Sequence, residues 1–261
     1  MTCRILTCMM LAGIQCVSTA LPISIVDLSV PYQQNFDSLA SSGLGHTALP
    51  LGWVIHESGN SADGKYTPST GSSNTGDTYS FGAGGSTERA LGGLRSSNLI
   101  PLFGAQFRND TGQVMTGWSI SYWGEQWRLG TTNRQDWLRF GYSLDATSLT
   151  NGTWVSVPAL DFGSPSTSGP VGQKNGNDSA YRTYLSHTID GLGIEPGQTW
   201  WIRWTDDDVF GADDGLAVDD LVISFRGFGG PAALPEGGSG TILLALAMIV
   251  LGRLRCALTQ E

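Results

Sequence analysis

Charged residues are scarce in this chain, since Asp, Glu, Lys and Arg make up only 14% of its 261 residues. That fraction is low for an intracellular helical protein. Histidine is also rare, and the three histidines (His46, His56 and His187) show no metal-ligand spacing. The sequence contains no Gly-x-Ser-x-Gly elbow, no His-Glu-x-x-His helix and no phosphate-binding glycine loop. These absences argue against the common serine hydrolase, zinc protease and nucleotide-binding classes.

Cysteine is absent from the middle of the chain. Three of the four cysteines precede residue 21, and Cys256 follows the last apolar run. The segment Leu21–Gly252 therefore has no internal disulfide, no thiolate zinc site and no cysteine nucleophile. A eukaryotic secreted domain of this size commonly carries disulfides, so their absence favours bacterial export.

Basic residues are outnumbered by acidic ones, with 14 Lys and Arg against 23 Asp and Glu. The formal net charge is −9. An acidic surface repels phosphate backbones, so we do not expect nucleic acid as a partner. The same carboxylates bind divalent cations where several of them converge.

Long helical patterns are missing as well, and turn residues are abundant, including 36 glycines. Short runs of alternating polarity are separated by segments rich in Gly, Ser, Asn and Asp, which predicts an all-β domain over residues 21–228. About ten strands favour a jelly-roll-like β-sandwich, with an eight-stranded closed barrel as the alternative. The predicted strands are 24–30, 52–56, 78–82, 105–109, 116–128, 137–143, 153–158, 181–189, 199–205 and 216–225.

Alternation within two of these strands assigns side chains to opposite faces. The residues predicted to share an inward face are Trp118, Ile120, Tyr122, Trp200, Ile202 and Trp204. Four further tryptophans are offset from these apolar faces. Because sugar rings stack on exposed aromatic side chains, we predict ligand binding by Trp123, Trp127, Trp137 and Trp201, with burial in a core as the alternative.

The first twenty residues resemble a cleavable secretion signal. Arg4 precedes an apolar stretch at residues 5–17, and Ser18 and Ala20 are small residues at the positions that a signal peptidase reads. The apolar stretch is short for a membrane span, so we expect cleavage after Ala20 rather than an uncleaved anchor.

The C-terminal end has a Gly- and Pro-rich linker (229–240) followed by a short apolar segment (241–255) that ends in Arg253 and Arg255. About ten to twelve apolar residues form a helix of about 15–18 Å, shorter than the hydrocarbon core of a bilayer. The two arginines would hold this end in the cytoplasm, so the main domain would lie outside.

This order of motif, apolar helix and arginines resembles the PEP-CTERM sorting tail of Gram-negative bacteria. The residues that carry the motif are Pro235, Glu236, Gly237, Gly238 and Ser239. The resemblance implies an exosortase-type enzyme as a partner, an intermediate in the inner membrane, and a final position at the cell surface or in the extracellular matrix. A GPI-attachment signal and an ordinary C-terminal membrane anchor are the alternatives.

Two short motifs resemble MAM-type and concanavalin-like jelly rolls: the segment 35–37 (Asn-Phe-Asp) and the strand 212–225. Such folds place their first and last strands side by side, and related jelly rolls bind a structural calcium ion near this edge. The resemblance therefore implies a Ca²⁺ site made of Asp37, Asp214 and Asp219. The alternative is a solvated acidic loop.

The sequence as a whole predicts an exported, non-catalytic protein that binds exopolysaccharide or mediates adhesion. A secreted glycan hydrolase is the second hypothesis, with Glu125 and Asp136, or Glu88 and Glu125, as its carboxylate pair. A structural matrix protein without a ligand is the third hypothesis.

Overall fold

The computed structural model describes residues 21–228, and nearly all regular structure in this range is β. One short 3₁₀ turn, Pro158–Leu160, interrupts the strands. The fifteen strands are β1 (Ile23–Ile25), β2 (Tyr32–Gln34), β3 (Trp53–Ser58), β4 (Tyr66–Ser69), β5 (Asp77–Phe81), β6 (Ala90–Leu94), β7 (Ile100–Asn109), β8 (Val114–Leu129), β9 (Trp137–Ser143), β10 (Val155–Ser156), β11 (Phe162–Gly163), β12 (Gly172–Gln173), β13 (Arg182–Ile194), β14 (Thr199–Asp206) and β15 (Gly215–Phe228).

The strands form two sheets. Sheet A has the order β1-β7-β14-β9-β10, with β3 also paired to β7 and β11 to β9. Sheet B has the order β12-β8-β15-β6-β5-β4, with β13 also paired to β8 and β2 to β15. The fold is therefore a two-sheet sandwich and not a single closed barrel.

The core lies between the inner faces of the two sheets. The six side chains predicted to face inward are all fully buried there, which confirms the assignment of faces from alternation. Aromatic rings stack across the core: Trp204 lies parallel to both Trp53 and Phe103, with ring centroids 6.1 and 5.7 Å away. Burial of these large rings stabilises the packing of the two sheets.

The last strand lies in the middle of sheet B. It pairs with β8 on one side and with β6 and β2 on the other. The first strand does not lie beside the last one as expected, because β1 joins β7 in sheet A, and the second strand, β2, pairs with β15 instead. Asp220 forms a bulge with positive φ (49°), where the register to β8 shifts. Leu216 and Val218 before the bulge and Leu221 after it all face the core.

Ten strands were predicted from the sequence, and each has a counterpart in the structure. The alternating pattern did not reveal β2, β4, β6, β11 and β12. The expected signal peptide (1–20), the linker with the sorting motif (229–240) and the apolar C-terminal segment (241–255) lie outside the described residues. Within residues 21–228, the structure contains no helix with the length and apolar character needed to cross a membrane.

Candidate functional site

A groove crosses the outer face of sheet A. Its floor consists of alternate residues from three neighbouring strands, all pointing away from the core: Val54 and His56 on β3, Gln106 and Arg108 on β7, and Thr199 and Trp201 on β14. The groove has a volume of about 750 Å³. That volume is in the range of small-molecule binding sites.

The groove is walled by loops on both sides. One wall is the segment 147–150, where the side chain of Asn151 accepts hydrogen bonds from the backbone N–H groups of Thr147 (2.8 Å) and Ser148 (3.0 Å). The other wall includes Leu21, Pro22, Thr47 and Leu49. These two hydrogen bonds hold the backbone of the first wall in place, so the fold itself sets the position of that wall.

Trp201 provides an aromatic surface at the edge of the groove. Its ring packs against Leu102, Ala146 and Leu149 and is only 4% exposed. Its indole Nε1–H has no hydrogen-bond partner among the described residues. Trp201 therefore contributes an apolar wall, and the polar groups in the groove come from its neighbours.

Among residues 21–228, no carboxylate lines the groove, although the chain carries 23 acidic residues. His56 and Arg108 are exposed in the groove and provide nitrogen atoms for hydrogen bonding. The Arg108 guanidinium forms an ion pair of 3.1 Å with Asp110, outside the groove lining. The groove thus combines an apolar wall with hydrogen-bond donors and acceptors and lacks the negative charge of the rest of the molecule.

A second site lies on the outer face of sheet B. Glu88 precedes β6, Glu125 lies on β8, and Asp219 lies on β15, yet their carboxylate oxygens come within 4.8 Å of one another. Glu125 and Asp219 are buried, at 1% and 5% exposure. We call these three residues the carboxylate cluster.

The carboxylate cluster is only partly hydrogen-bonded. The indole Nε1–H of Trp127 donates to Glu125 Oε2 at 2.9 Å, and the Asn177 amide donates to Glu88 Oε2. Burial, followed by repulsion from neighbouring carboxylates, raises the pKa of Glu125 to about 7 and that of Asp219 well above its usual range. The site therefore disfavours three bare negative charges.

Aromatic and basic side chains flank this cluster. Trp123 on β8 meets Tyr184 on β13 edge-to-face, with ring centroids 5.3 Å apart. The Arg182 guanidinium lies over the Trp123 ring, 4.4 Å from its centroid. Tyr184 is exposed and Trp123 is half-buried, so this pair is reachable by solvent.

The four tryptophans predicted to bind a ligand lie in four different settings. Trp127 is 1% exposed, because the loop around Gly176 closes over it and it stacks on Phe81. The prediction that Trp127 faces a ligand is thus corrected to a core role. Trp137 is half-buried under the Arg139 guanidinium, outside the groove lining. Of these four tryptophans, Trp201 alone lines the groove.

The residues expected to form a calcium site do not converge in the described structure. Asp214 is buried and its oxygens accept from the Gly130 N–H (2.7 Å) and the Gln126 amide (2.9 Å), with Arg134 3.4 Å away. Asp37 is exposed and accepts from the Arg89 N–H at 3.1 Å. Asp219 alone belongs to a group of converging carboxylates, and its neighbours there are Glu88 and Glu125.

Of the two carboxylate pairs considered for a hydrolase, the structure brings one together. Glu88 and Glu125 come together in the carboxylate cluster. Asp136 instead lies beside Arg134, 3.2 Å away, and Asp214. One oxygen of Glu88 and one oxygen of Glu125 lie within 4.8 Å of each other.

A second group of converging acidic side chains, Glu57, Asp63 and Asp77, has a structural role. Glu57 accepts from the backbone N–H groups of Asp63 and Gly64 and from both the N–H and the hydroxyl of Thr78, at 2.8–3.1 Å. Four donors therefore occupy this buried carboxylate, which ties β3 to β5 and the intervening loop.

Sequence reasoning missed His56, Gln106 and Arg108 as groove residues. Alternation does place Gln106 and Arg108 on one face of a strand, but the sequence does not show which strands are neighbours. The register of β14 against β7 brings Trp201 opposite Gln106.

No protein-family model and no curated protein matches this chain. Several solved structures are similar in shape. The K3 cleaved adhesin domain of Lys-gingipain from Porphyromonas gingivalis W83 has a TM-score of 0.40 and 12% identity, covering 74% of this chain and 98% of that chain. The carbohydrate-binding module TmCBM61, solved with β-1,4-galactotriose, has a TM-score of 0.35 and 11% identity, covering 70% and 92%.

The enzymatically active domain of tailspike protein 4 from bacteriophage CBA120 has a TM-score of 0.34 and 11% identity. The similarity covers 67% of this chain, which spans about a fifth (19%) of that chain. All three TM-scores are below 0.5, so these similarities do not assign the chain to a family.

Proposed function

We propose that this chain is an exported, non-catalytic protein whose jelly-roll-like sandwich binds an extracellular polysaccharide in the groove on sheet A. The observation that carries the proposal is the composition of the groove: an indole edge and apolar walls next to His56, Gln106 and Arg108. Sugars present apolar C–H faces and a rim of hydroxyl groups. A site with one apolar wall and several donors and acceptors suits both parts of such a ligand.

The location of these groups supports a polymer more than a small compact ligand. They are distributed over β3, β7 and β14, so a chain of sugar units crossing the strands would contact all three. Because no carboxylate of the described residues lines the groove, both neutral and acidic polysaccharides avoid charge repulsion there.

The two ends of the sequence support export. The secretion signal at residues 1–20 and the sorting tail at residues 234–255 both place the sandwich outside the cytoplasm. In this proposal an exosortase-type enzyme processes the tail, and the sandwich acts at the cell surface or in the extracellular matrix. Cell fractionation tests this part: an intact chain with both ends retained in the cytosol would contradict it.

Affinity electrophoresis of the full-length chain through gels that contain neutral or acidic polysaccharides tests the binding site. We expect His56→Ala and Gln106→Ala each to weaken the binding of a retarding polysaccharide by about 5–10-fold, since each removes a hydrogen bond worth about 1 kcal/mol. Tyr184→Ala, an exposed aromatic side chain on the opposite sheet, is the matched control and should bind as the wild type does.

Four results would contradict the proposal. Equal binding by the wild type and both groove variants would remove the groove as the site. Loss of binding in Tyr184→Ala would move the site to sheet B. Release of reducing ends from the bound polysaccharide would favour the hydrolase hypothesis, whereas no retardation by any polysaccharide would favour the structural one.

A further inference from the structure

The carboxylate cluster on sheet B buries more negative charge than its protein surroundings balance. Glu125 and Asp219 are almost inaccessible, and Glu88 is half-buried beside them. Their oxygens lie within 4.8 Å of one another. Burying like charges at such a distance is unfavourable unless a positive charge accompanies them.

Two oxygens of the cluster have no partner. Glu88 Oε1 and Asp219 Oδ1 are buried, and neither accepts a hydrogen bond from the described residues. The other oxygen of Glu88 and one oxygen of Glu125 are held by Asn177 and Trp127. Buried acceptors nearly always have a partner in folded proteins, so these two oxygens require either a bound cation or a proton of their own.

Arg182 supplies part of the missing positive charge. Its backbone lies opposite Glu125 in the pairing of β13 with β8. Its guanidinium stacks on Trp123 and forms no ion pair with the cluster in the described structure. When all groups are ionised, the cluster and the neighbouring Asp220 carry four negative charges, and Arg182 and Arg89 carry two positive charges, so a net charge of −2 remains. A divalent cation neutralises that charge.

We propose that Glu88, Glu125 and Asp219 bind a divalent cation, with Ca²⁺ as the ion of choice. The ligands are all carboxylate oxygens, which hard cations prefer. Oxygens on opposite sides of a Ca²⁺ ion are about 5 Å apart, because each Ca–O distance is about 2.3–2.6 Å. A cluster whose oxygens lie within 4.8 Å of one another fits that span. This inference does not depend on the groove, which lies on the other sheet.

The site would link three separate parts of sheet B. Glu88 lies at the start of β6, Glu125 on β8, and Asp219 next to the Asp220 bulge of β15. An ion held by all three would fasten this part of the sheet directly under the Trp123–Tyr184 pair. We therefore expect the ion to stabilise the fold.

Calcium titration of the full-length, chelator-treated chain tests the proposal by calorimetry and by thermal unfolding. We expect one Ca²⁺ per chain and a rise in Tm of about 5–10 °C at saturation. Glu88→Gln and Asp219→Asn should each weaken Ca²⁺ binding at least 10-fold. Asp63→Asn, an exposed member of the Glu57 group, is the matched control and should bind Ca²⁺ as the wild type does.

The thermal readout separates an ion site from a cluster that merely shares protons. If the cluster only shares protons, Asp219→Asn raises Tm by relieving repulsion and Ca²⁺ changes neither protein. If it binds an ion, Ca²⁺ raises the Tm of the wild type and not that of the variant. Absence of heat and of a Tm shift with Ca²⁺, Mg²⁺ and Mn²⁺ at millimolar concentration would overturn the proposal, as would equal affinity in Glu88→Gln and the wild type.

Discussion

The two sheets of the sandwich each turn a tryptophan-bearing face away from the core, and loops cover these faces differently. On sheet A, the segment around Leu149 packs on Trp201 and leaves an open groove, which is lined by no carboxylate from the described part of the chain. On sheet B, the loop around Gly176 closes over Trp127, and three carboxylates converge beside it. The two sites therefore differ in charge, since the described lining of the groove holds no carboxylate and the cluster on sheet B holds three.

The difference shows that an outward-pointing side chain is not necessarily a solvent-exposed one. Trp127 and Trp201 both point away from the main core, and both are at most 4% exposed. Trp127 donates a hydrogen bond to Glu125, whereas Trp201 makes none among the described residues. A ligand is therefore expected at the edge of Trp201 and an ion beside Trp127.

The largest expected effect is that of truncating the buried tryptophan on sheet B. Trp127→Ala should lower the free energy of unfolding by about 3–5 kcal/mol, because it opens a large cavity and frees an oxygen of Glu125. Urea unfolding measures this change. Trp123→Ala, on the same strand and face but half-buried, is the control and should cost much less. Equal losses in the two variants would show that the faces are not covered as described.

A smaller effect concerns the buried acidic residues at the end of the sandwich, away from both sites. Burial raises the pKa of Asp136 and Asp213 to about 6, and it raises the pKa of Asp206 well above its usual range. The folded chain keeps these protons to a higher pH than the unfolded chain does. The stability that they contribute is therefore complete below about pH 4 and is lost as the pH rises towards 7. Asp206→Asn removes one of these titrating carboxyl groups, so the variant lacks its contribution to the pH dependence.

Urea unfolding between pH 4 and pH 7 measures this dependence. We expect the wild type to lose on the order of 1–3 kcal/mol over that range relative to Asp206→Asn. The same slope in both proteins would mean that Asp206 ionises freely in the folded chain.

A weaker effect is expected from placing a carboxylate in the groove. Gln106→Glu keeps the size of the side chain but adds a negative charge opposite Trp201, so the affinity for an acidic polysaccharide should fall about 5–10-fold. Affinity electrophoresis at low and high salt measures it. A neutral polysaccharide is the control ligand, for which a smaller change is expected. Tighter binding of the acidic polysaccharide would refute the charge argument.

The smallest effect is expected for Trp201→Phe. The indole N–H of Trp201 has no partner among the described residues, so the substitution breaks no hydrogen bond. Apart from the effect of the smaller buried ring, the unfolding free energy should therefore change by less than about 1 kcal/mol. Trp127→Phe loses its hydrogen bond to Glu125 and should cost more. The reverse order in urea unfolding would contradict the hydrogen-bond assignment.

Much of the fold could be predicted from alternation. The inward faces of β8 and β14 were correct, because large apolar side chains recur at every second position, at Trp118 and Ile120 on β8 and at Trp200 and Ile202 on β14. The missed strand β6 contains Gly92 and Gly93, which have little β propensity. Gly92 lies so close to Ala217 on β15 that a side chain would clash, so packing rather than propensity makes this segment a strand.

The sites were harder to predict than the fold. The acidic run between residues 206 and 220 suggested a cation loop, but Arg134 and backbone donors occupy Asp214. The carboxylate cluster instead draws Glu88, Glu125 and Asp219 from segments far apart in the sequence. Only strand order and register bring them together, and neither can be read from a single sequence.

The bulge at Asp220 constrains the length of the final strand. Core side chains occupy even-numbered positions before it, at Leu216 and Val218, and odd-numbered positions after it, at Leu221, Ile223 and Phe225. Deleting one residue here would turn one of these two sets towards solvent. Homologous chains should therefore tolerate substitution at position 220 far better than a gap, and loop-length variation should accumulate elsewhere in the molecule.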